Sequence, residues 1–306
     1  MNLAHIHIVI NHVPSLGSIL GLLLLAAGIY KKNEEIKQFA YGLLVLITMA
    51  VLPTYITGAE AQKMVSKNPS YAAGMVQLHQ NAAMITLLSM TAAGMFAWFG
   101  IWECRRHGRS GSLTTMATLI STMAAVGFVL VTASIGGKIS HPEIRDAADA
   151  LVTEAVGWRQ PLENWINQVA WSWPTLEMIH YVGMAFLFGV STIYLFRMLG
   201  YMKGISFRAL HRLLPMAIIG FVINTITGMV FFAASPQLYL AKNGFHTKIV
   251  GILLATAPIL YFTMFDAPWK VRADDDAPAA VKIAAVAIFV LVCVVMIYGR
   301  LLFIIN

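Results

Sequence analysis

The sequence predicts an all-α polytopic membrane protein. About eight transmembrane helices form two four-helix bundles, joined by a linker that carries an interfacial amphipathic helix. Three observations predict this. The chain of 306 residues is 58% hydrophobic and only 11% charged, whereas soluble domains carry roughly a quarter charged residues. Its apolar residues fall into eight continuous runs, each close to the ~20 residues a helix needs to cross a bilayer. The longest polar stretch, 136–172, divides those runs four and four. Strands are excluded, because barrel segments are shorter and alternate in polarity.

The first bundle, 1–135, holds spans at 12–30, 37–58, 79–102 and 113–135. Pro14 suits a first helical turn, so His12 is expected to project at the entrance of the first span. Met1 to Val9 has no basic n-region, and no small-residue cleavage site follows the first run. That run therefore reads as a retained span rather than a secretory signal. Gly58 marks the exit of the second span and His79 the entrance of the third. After the fourth, Gly136-Gly137-Lys138-Ile139-Ser140 reads as a flexible turn leading to His141.

The linker, 136–172, repeats Ile144, Ala148, Leu151, Ala155 and Trp158 at three- and four-residue steps, one face of an amphipathic helix. Trp158, Trp165, Trp171 and Trp173 are four of the chain's seven tryptophans, and indoles favour the membrane interface. Glu143, Asp146, Asp149, Glu154 and Glu163 outnumber Lys138, Arg145 and Arg159, making an acidic rim. Such a rim suits a basic electron carrier, although a solvated face explains it more simply. The second bundle, 173–306, holds spans at 173–199, 208–233, 246–265 and 281–303. Between its last two spans, Asp274-Asp275-Asp276 reads as a solvated turn.

Eight spans put both termini on one side. With the N-terminus outside, cytoplasmic loops and helix ends hold thirteen of the lysines and arginines and the other side eight. The positive-inside bias therefore makes both termini extracytoplasmic, in a bacterial inner membrane. The pI of about 9.4 follows from topology, and nucleic-acid binding is excluded. Two cysteines, Cys104 and Cys293, and no CxxCH leave no covalent c-type haem and no disulfide framework. The chain also lacks a metalloprotease HExxH, a Walker loop and a nucleophile elbow. Its 17 methionines are scattered and read as core filling.

The histidines carry the functional signal. His12 and His79 lie 67 positions apart and His180 and His246 lie 66 apart, each near the start of a span. Ile56-Thr57-Gly58 precedes His79 as Ile226-Thr227-Gly228 precedes His246, with gaps of 21 and 18 residues from the glycine. Matching intervals suggest a duplicated layout, two parallel repeats of four helices. An imidazole at membrane depth is costly and usually functional, and two on helices running the same way can supply both axial ligands of one iron. The expected pairs are His180 with His246 and His12 with His79. Gly183, one turn beyond His180, leaves room for a flat macrocycle, while Gly220, Asn224 and Gly228 form a smooth stripe better explained by helix packing.

His5, His7 and His141 lie at the same end and could serve a second haem or a copper ion, with a hydrogen-bonding role as the plain alternative. Lys138, Arg145 and Lys248 could neutralise haem propionates, against ordinary snorkelling. Only His107 and His211 fall on the cytoplasmic side.

At these residues the chain resembles two bacterial membrane families. Through His12-Val13-Pro14, Gly58 and His79, the first half resembles an uncharacterised family of four-helix membrane proteins. The second half is similar to the copper-resistance-D-like and cytochrome-b561-like superfamily. That likeness is carried by Glu177-Met178-Ile179-His180-Tyr181-Val182-Gly183, Thr227-Gly228-Met229-Val230-Phe231-Phe232 and Phe245-His246-Thr247-Lys248. The resemblance implies b-type haem and electron transfer, with copper handling left open. Two-haem members of that superfamily carry haem near both faces, a pattern from which a cytoplasmic side with only His107 and His211 departs.

The expected function is an integral-membrane cytochrome b with one or two haems, an electron-transfer subunit rather than a stand-alone catalyst. It would pass electrons between the quinol pool or a partner redox subunit and an extracytoplasmic acceptor such as a c-type cytochrome. Copper or other metal transport is one alternative. A membrane anchor for a periplasmic enzyme is another.

Overall fold

The computed structural model describes residues 3–67, 73–145 and 159–302. Among these residues there are helices and no strands, and eight helical segments are long and apolar enough to cross a membrane. The chain divides into two compact units, Met1–Gln160 and Pro161–Asn306. The division falls inside the polar linker.

In the first unit, α1 (Leu3–Ile10) and α2 (His12–Tyr30) run almost without interruption. The hinge residue Asn11 keeps helical dihedrals, and its N–H donates to the His7 carbonyl at 3.0 Å. The first span therefore begins at Leu3 rather than near His12. Pro14 lacks only its own N–H, a loss confined to one hydrogen bond when the preceding turn is already made.

Next come α3 (Glu34–Val65), α4 (Ala73–His107) and α5 (Ser112–Ser140). The Asn33 side chain caps α3 by accepting from the Ile36 N–H at 2.9 Å, and Gly108, at φ +76°, ends α4. α2, α3, α4 and α5 pack in a closed ring, with α1 continuing along α3. α4 is the most buried helix, with Met84, Leu87 and Met90 fully enclosed. Its Gly94 lies against Thr48 and its Gly100 against the Tyr41 ring, so α3 and α4 approach closely.

α5 continues as helix through Ser140, where a flexible turn was expected from Gly136-Gly137. Arg145 explains the extension. Its guanidinium donates to the carbonyls of Lys138 (2.7 Å) and Ile139 (3.1 Å), groups that the last turn of a helix leaves open. Of the predicted linker helix, Ile144 sits exposed in a 3₁₀ turn (Pro142–Ile144). Ala148, Leu151, Ala155 and Trp158 lie outside the described residues, as do Asp146, Asp149 and Glu154.

The next helix, α6 (Arg159–Gln168), crosses the division between the units. The second unit holds α7 (Ser172–Leu199), α8 (Phe207–His211), α9 (Leu214–Ala234), α10 (Pro236–Leu240), α11 (Asn243–Met264) and α12 (Ala279–Leu301). The long helices pack in the order α9, α7, α12, α11. Aromatic rings join the end of α9 to the start of α11, with Phe232 and Phe245 stacked at 5.3 Å.

α7 and α9 meet backbone to backbone. A Cβ on Gly183 would stand 2.9 Å from the Gly220 carbonyl oxygen, and one on Gly220 only 2.6 Å from that of Gly183. With its amide nitrogen toward α7, Asn224 donates to the His180 carbonyl (2.7 Å) and accepts from the Met184 N–H (3.1 Å). Gly183 thus serves the helix contact, where the sequence suggested room for a macrocycle. The stripe Gly220-Asn224 is the other half of the same contact.

The far end of this unit is tied by Arg197, which is fully buried although charged. Its guanidinium donates to the carbonyls of Ile205 (2.6 Å) and Asp275 (3.4 Å) and lies 4.2 Å over the Phe207 ring. Lys203 pairs with Asp276 at 2.8 Å. The acidic turn is solvated as expected, while its main chain receives Arg197.

Candidate histidine sites

In each unit the first helix brings one histidine against the threonine and glycine of the repeated tripeptide. In the first unit that residue is His7. Its Nδ1 lies 3.0 Å from the Thr54 carbonyl oxygen and 3.4 Å from Thr57 Oγ1, and a Cβ on Gly58 would press on its ring at 2.9 Å. In the second unit it is His180, with Nδ1 2.7 Å from Thr227 Oγ1 and Cε1 4.0 Å from where Gly228 would carry a Cβ.

Hydrogen-bond accounting fixes the tautomer of His7 and favours the same one in His180. Thr57 and Thr227 each spend their own proton on the carbonyl one turn back, at Pro53 (2.9 Å) and Ile223 (2.7 Å). A hydroxyl engaged in this way offers its oxygen as an acceptor, and a carbonyl such as that of Thr54 can only accept. Nδ1 of His7 must therefore carry the hydrogen, leaving Nε2 its lone pair, and the same tautomer in His180 lets it donate to Thr227 while Thr227 keeps its bond to Ile223.

His79, on α4, follows the same rule. Its Nδ1 donates to the Thr132 carbonyl on α5 at 3.0 Å, and a Cβ on Gly136 would stand 3.1 Å from its Cε1. Thr132 is itself held by Thr86 Oγ1 at 3.0 Å. His7 and His79 lie close enough for their charges to interact. Three imidazoles thus present Nε2 as an acceptor while Nδ1–H is anchored, the arrangement that orients a metal-ligating histidine.

The other predicted residues are placed differently. His12 is exposed, its Nδ1 bonded to the Ile8 carbonyl of its own helix at 3.0 Å. It stands five residues from His7, about 140° round the helix, so the two cannot face the same neighbour. His5 is exposed. His141 is exposed and pairs with exposed Glu143 at 3.0 Å, an interaction that, after the local main-chain bond, holds the Glu143 carboxyl below its usual range.

His246 is half-buried beside Phe245, at 6.2 Å between ring centres. No hydrogen bond or ring contact joins it to His180. Arg145 is committed to the end of α5. Lys248 lays its stem along Gly299 of α12, Nζ 3.3 Å from the position of a Cβ there, and its charge reaches His180.

Sequence reasoning missed Arg159. From α6 it donates through Nε to buried Asn81 at 3.1 Å, two residues beyond His79, and its charge reaches Tyr55. The signal was an arginine next to an apolar bundle end, though nothing in its spacing named its partner. Beside these residues Gln80 donates to Gln62. Also unforeseen is a polar knot at the opposite end of the first unit. There buried Lys37 pairs with Glu34 (2.5 Å) and donates to Ser110 (3.1 Å), and Tyr41 bonds Thr115 (3.0 Å).

Among the described residues no three or more His, Cys, Asp or Glu side chains converge to hold a metal ion. A pair of axial imidazoles is the smaller demand, and His7 with His79 meets its donor chemistry. No family model matches the chain, and neither a curated protein nor a solved structure is similar enough to match.

Proposed function

We propose that this chain is an integral-membrane b-type cytochrome. His7 and His79 are the axial ligands in the first unit, and His180 and His246 those in the second. The observation that supports this best is the shared tautomer. In both units the repeated threonine lies against Nδ1 of the first-helix histidine, and donation from Nδ1–H leaves Nε2 its lone pair. A hydrogen-bonded surface histidine has no need of a matching anchor in two separate bundles.

Bound haem would supply one-electron exchange. The protein's part is to hold each imidazole in one tautomer, to keep lipid around the bundle and water away from it, and to neutralise the ligand's acidic groups. The exposed apolar faces of the helices fit a lipid surround. The basic bias supports a bacterial inner membrane with both termini extracytoplasmic. Electrons would pass between quinol or a partner redox subunit and an extracytoplasmic acceptor such as a c-type cytochrome.

The test is a pyridine haemochrome assay with reduced-minus-oxidised spectra and copper analysis on purified protein. One or two b haems per chain are expected. Protein from a haem-replete host with no Soret band and stoichiometric copper would replace this reading with copper handling.

A further inference from the structure

Lys248 is a charge without a counter-charge. It lies in the second turn of α11, inside a membrane-spanning segment, and has no hydrogen-bond or ion-pair partner among the described residues. Its stem lies along the neighbouring helix, near that helix's last turn. The Cδ, Cε and Nζ atoms track Gly299 of the neighbouring helix, 3.9, 3.6 and 3.3 Å from where a Cβ would stand, so the glycine makes the slot it occupies.

The surrounding charges do not cancel it. The carboxylate on this part of α7, Glu177, is engaged by the Tyr181 hydroxyl at 2.6 Å and makes no ion pair with Lys248, and exposed Arg300 acts on Tyr181. His180 is within electrostatic reach, its Nδ1–H committed to Thr227. An ammonium at membrane depth is stabilised only by a pairing anion or by water.

We propose that this end of the second unit binds a ligand through an anionic oxygen, with Lys248 as the counter-charge. Two sources present such an oxygen here: the carboxylate side chain of a porphyrin and the phosphate of a lipid headgroup. For the porphyrin the proposal rests on the haem reading above. For the lipid it does not.

Full-length protein in neutral detergent is titrated with haemin, with haemin dimethyl ester, and with phosphatidylglycerol against phosphatidylcholine. Soret change reads the first two and thermal shift the lipids. With a porphyrin carboxylate as the anion, wild type binds haemin roughly tenfold more tightly than the ester, and Lys248→Gln removes the difference while Lys248→Arg keeps most of it. With a lipid phosphate, phosphatidylglycerol stabilises wild type saturably and Lys248→Gln does not respond. If Lys248→Gln fails to fold, the ester comparison on wild type still decides the porphyrin arm and the two lipids the other.

Equal binding of haemin and its ester, with no preference for phosphatidylglycerol, overturns the anion site and leaves the haem reading standing. Lysine-dependent lipid binding with no Soret band does the reverse.

Discussion

The two histidine anchors differ in strength, and that difference can be measured. His180 hands its Nδ1 hydrogen to Thr227 alone, at 2.7 Å. His7 has two acceptors, the Thr54 carbonyl at 3.0 Å and Thr57 Oγ1 at 3.4 Å, and the shorter belongs to the main chain, which no side-chain replacement removes. Thr227→Val keeps the shape and deletes the only acceptor, leaving a half-buried N–H unsatisfied at a cost of about 1–3 kcal/mol. Mutation of such an outer partner weakens metal retention roughly 10- to 100-fold. Thr57→Val removes the longer contact only, and its cost should stay under about 1 kcal/mol. The assay is haem retention against apomyoglobin, with the imidazole ¹⁵N spectrum of the haem-free protein as an independent readout. Thr227→Val should release haem faster and move His180 toward the Nε2–H tautomer, while Thr57→Val leaves His7 in the Nδ1–H form. If Thr57→Val is as damaging as Thr227→Val, or if neither tautomer moves, the anchoring argument is wrong.

Other outcomes follow from particular contacts. His7→Ala should abolish the first unit's low-spin spectrum and His12→Ala should leave it intact; loss on His12→Ala alone would restore the pairing read from spacing. Gly220→Val, which would drive a side chain into the Gly183 carbonyl, should separate α7 from α9 and cost about 1–3 kcal/mol, seen as a lower melting temperature. Arg197→Met strips donors from the carbonyls of Ile205 and Asp275, at about 1 kcal/mol or more for each, and should speed proteolysis of the loop after α11. Lys203 hydrogen-bonds Asp276 and holds its carboxyl below the usual range. A lowered folded-state value means this tie is present at neutral pH, survives through the ordinary carboxylate range and is lost as pH falls through the lowered value. Hydrogen exchange in that loop should rise only there, and Lys203→Met should move the rise to higher pH.

The eight spans were legible because bilayer thickness sets a length that composition alone reveals. The repeated Ile-Thr-Gly was legible as spacing, but its work was not: a threonine bonded back to its own helix offers its oxygen as an acceptor, and only packing shows which imidazole it meets. That is why the proposed first site uses His7 where the spacing pointed to His12. Pro14 looks like a helix start, so the sequence places the span's entrance at His12. In the folded chain helix already precedes it, and a five-residue step turns the two histidines to different faces. Gly183 misled in the opposite way. A glycine one turn from a ligand suits a flat cofactor and a crossing helix equally, and the choice depends on Gly220, 37 positions away. Arg159, Arg197 and Lys37 were invisible as tethers because such a cation is recognised by the acceptors around it, and most of those here (Asn81, the carbonyls of Ile205 and Asp275, Ser110) come from elsewhere in the chain. Lys248 completes the contrast. It alone of these cations enters a span without acquiring such acceptors, and the cost of leaving it bare is the physical reason to look for an anion beside His180.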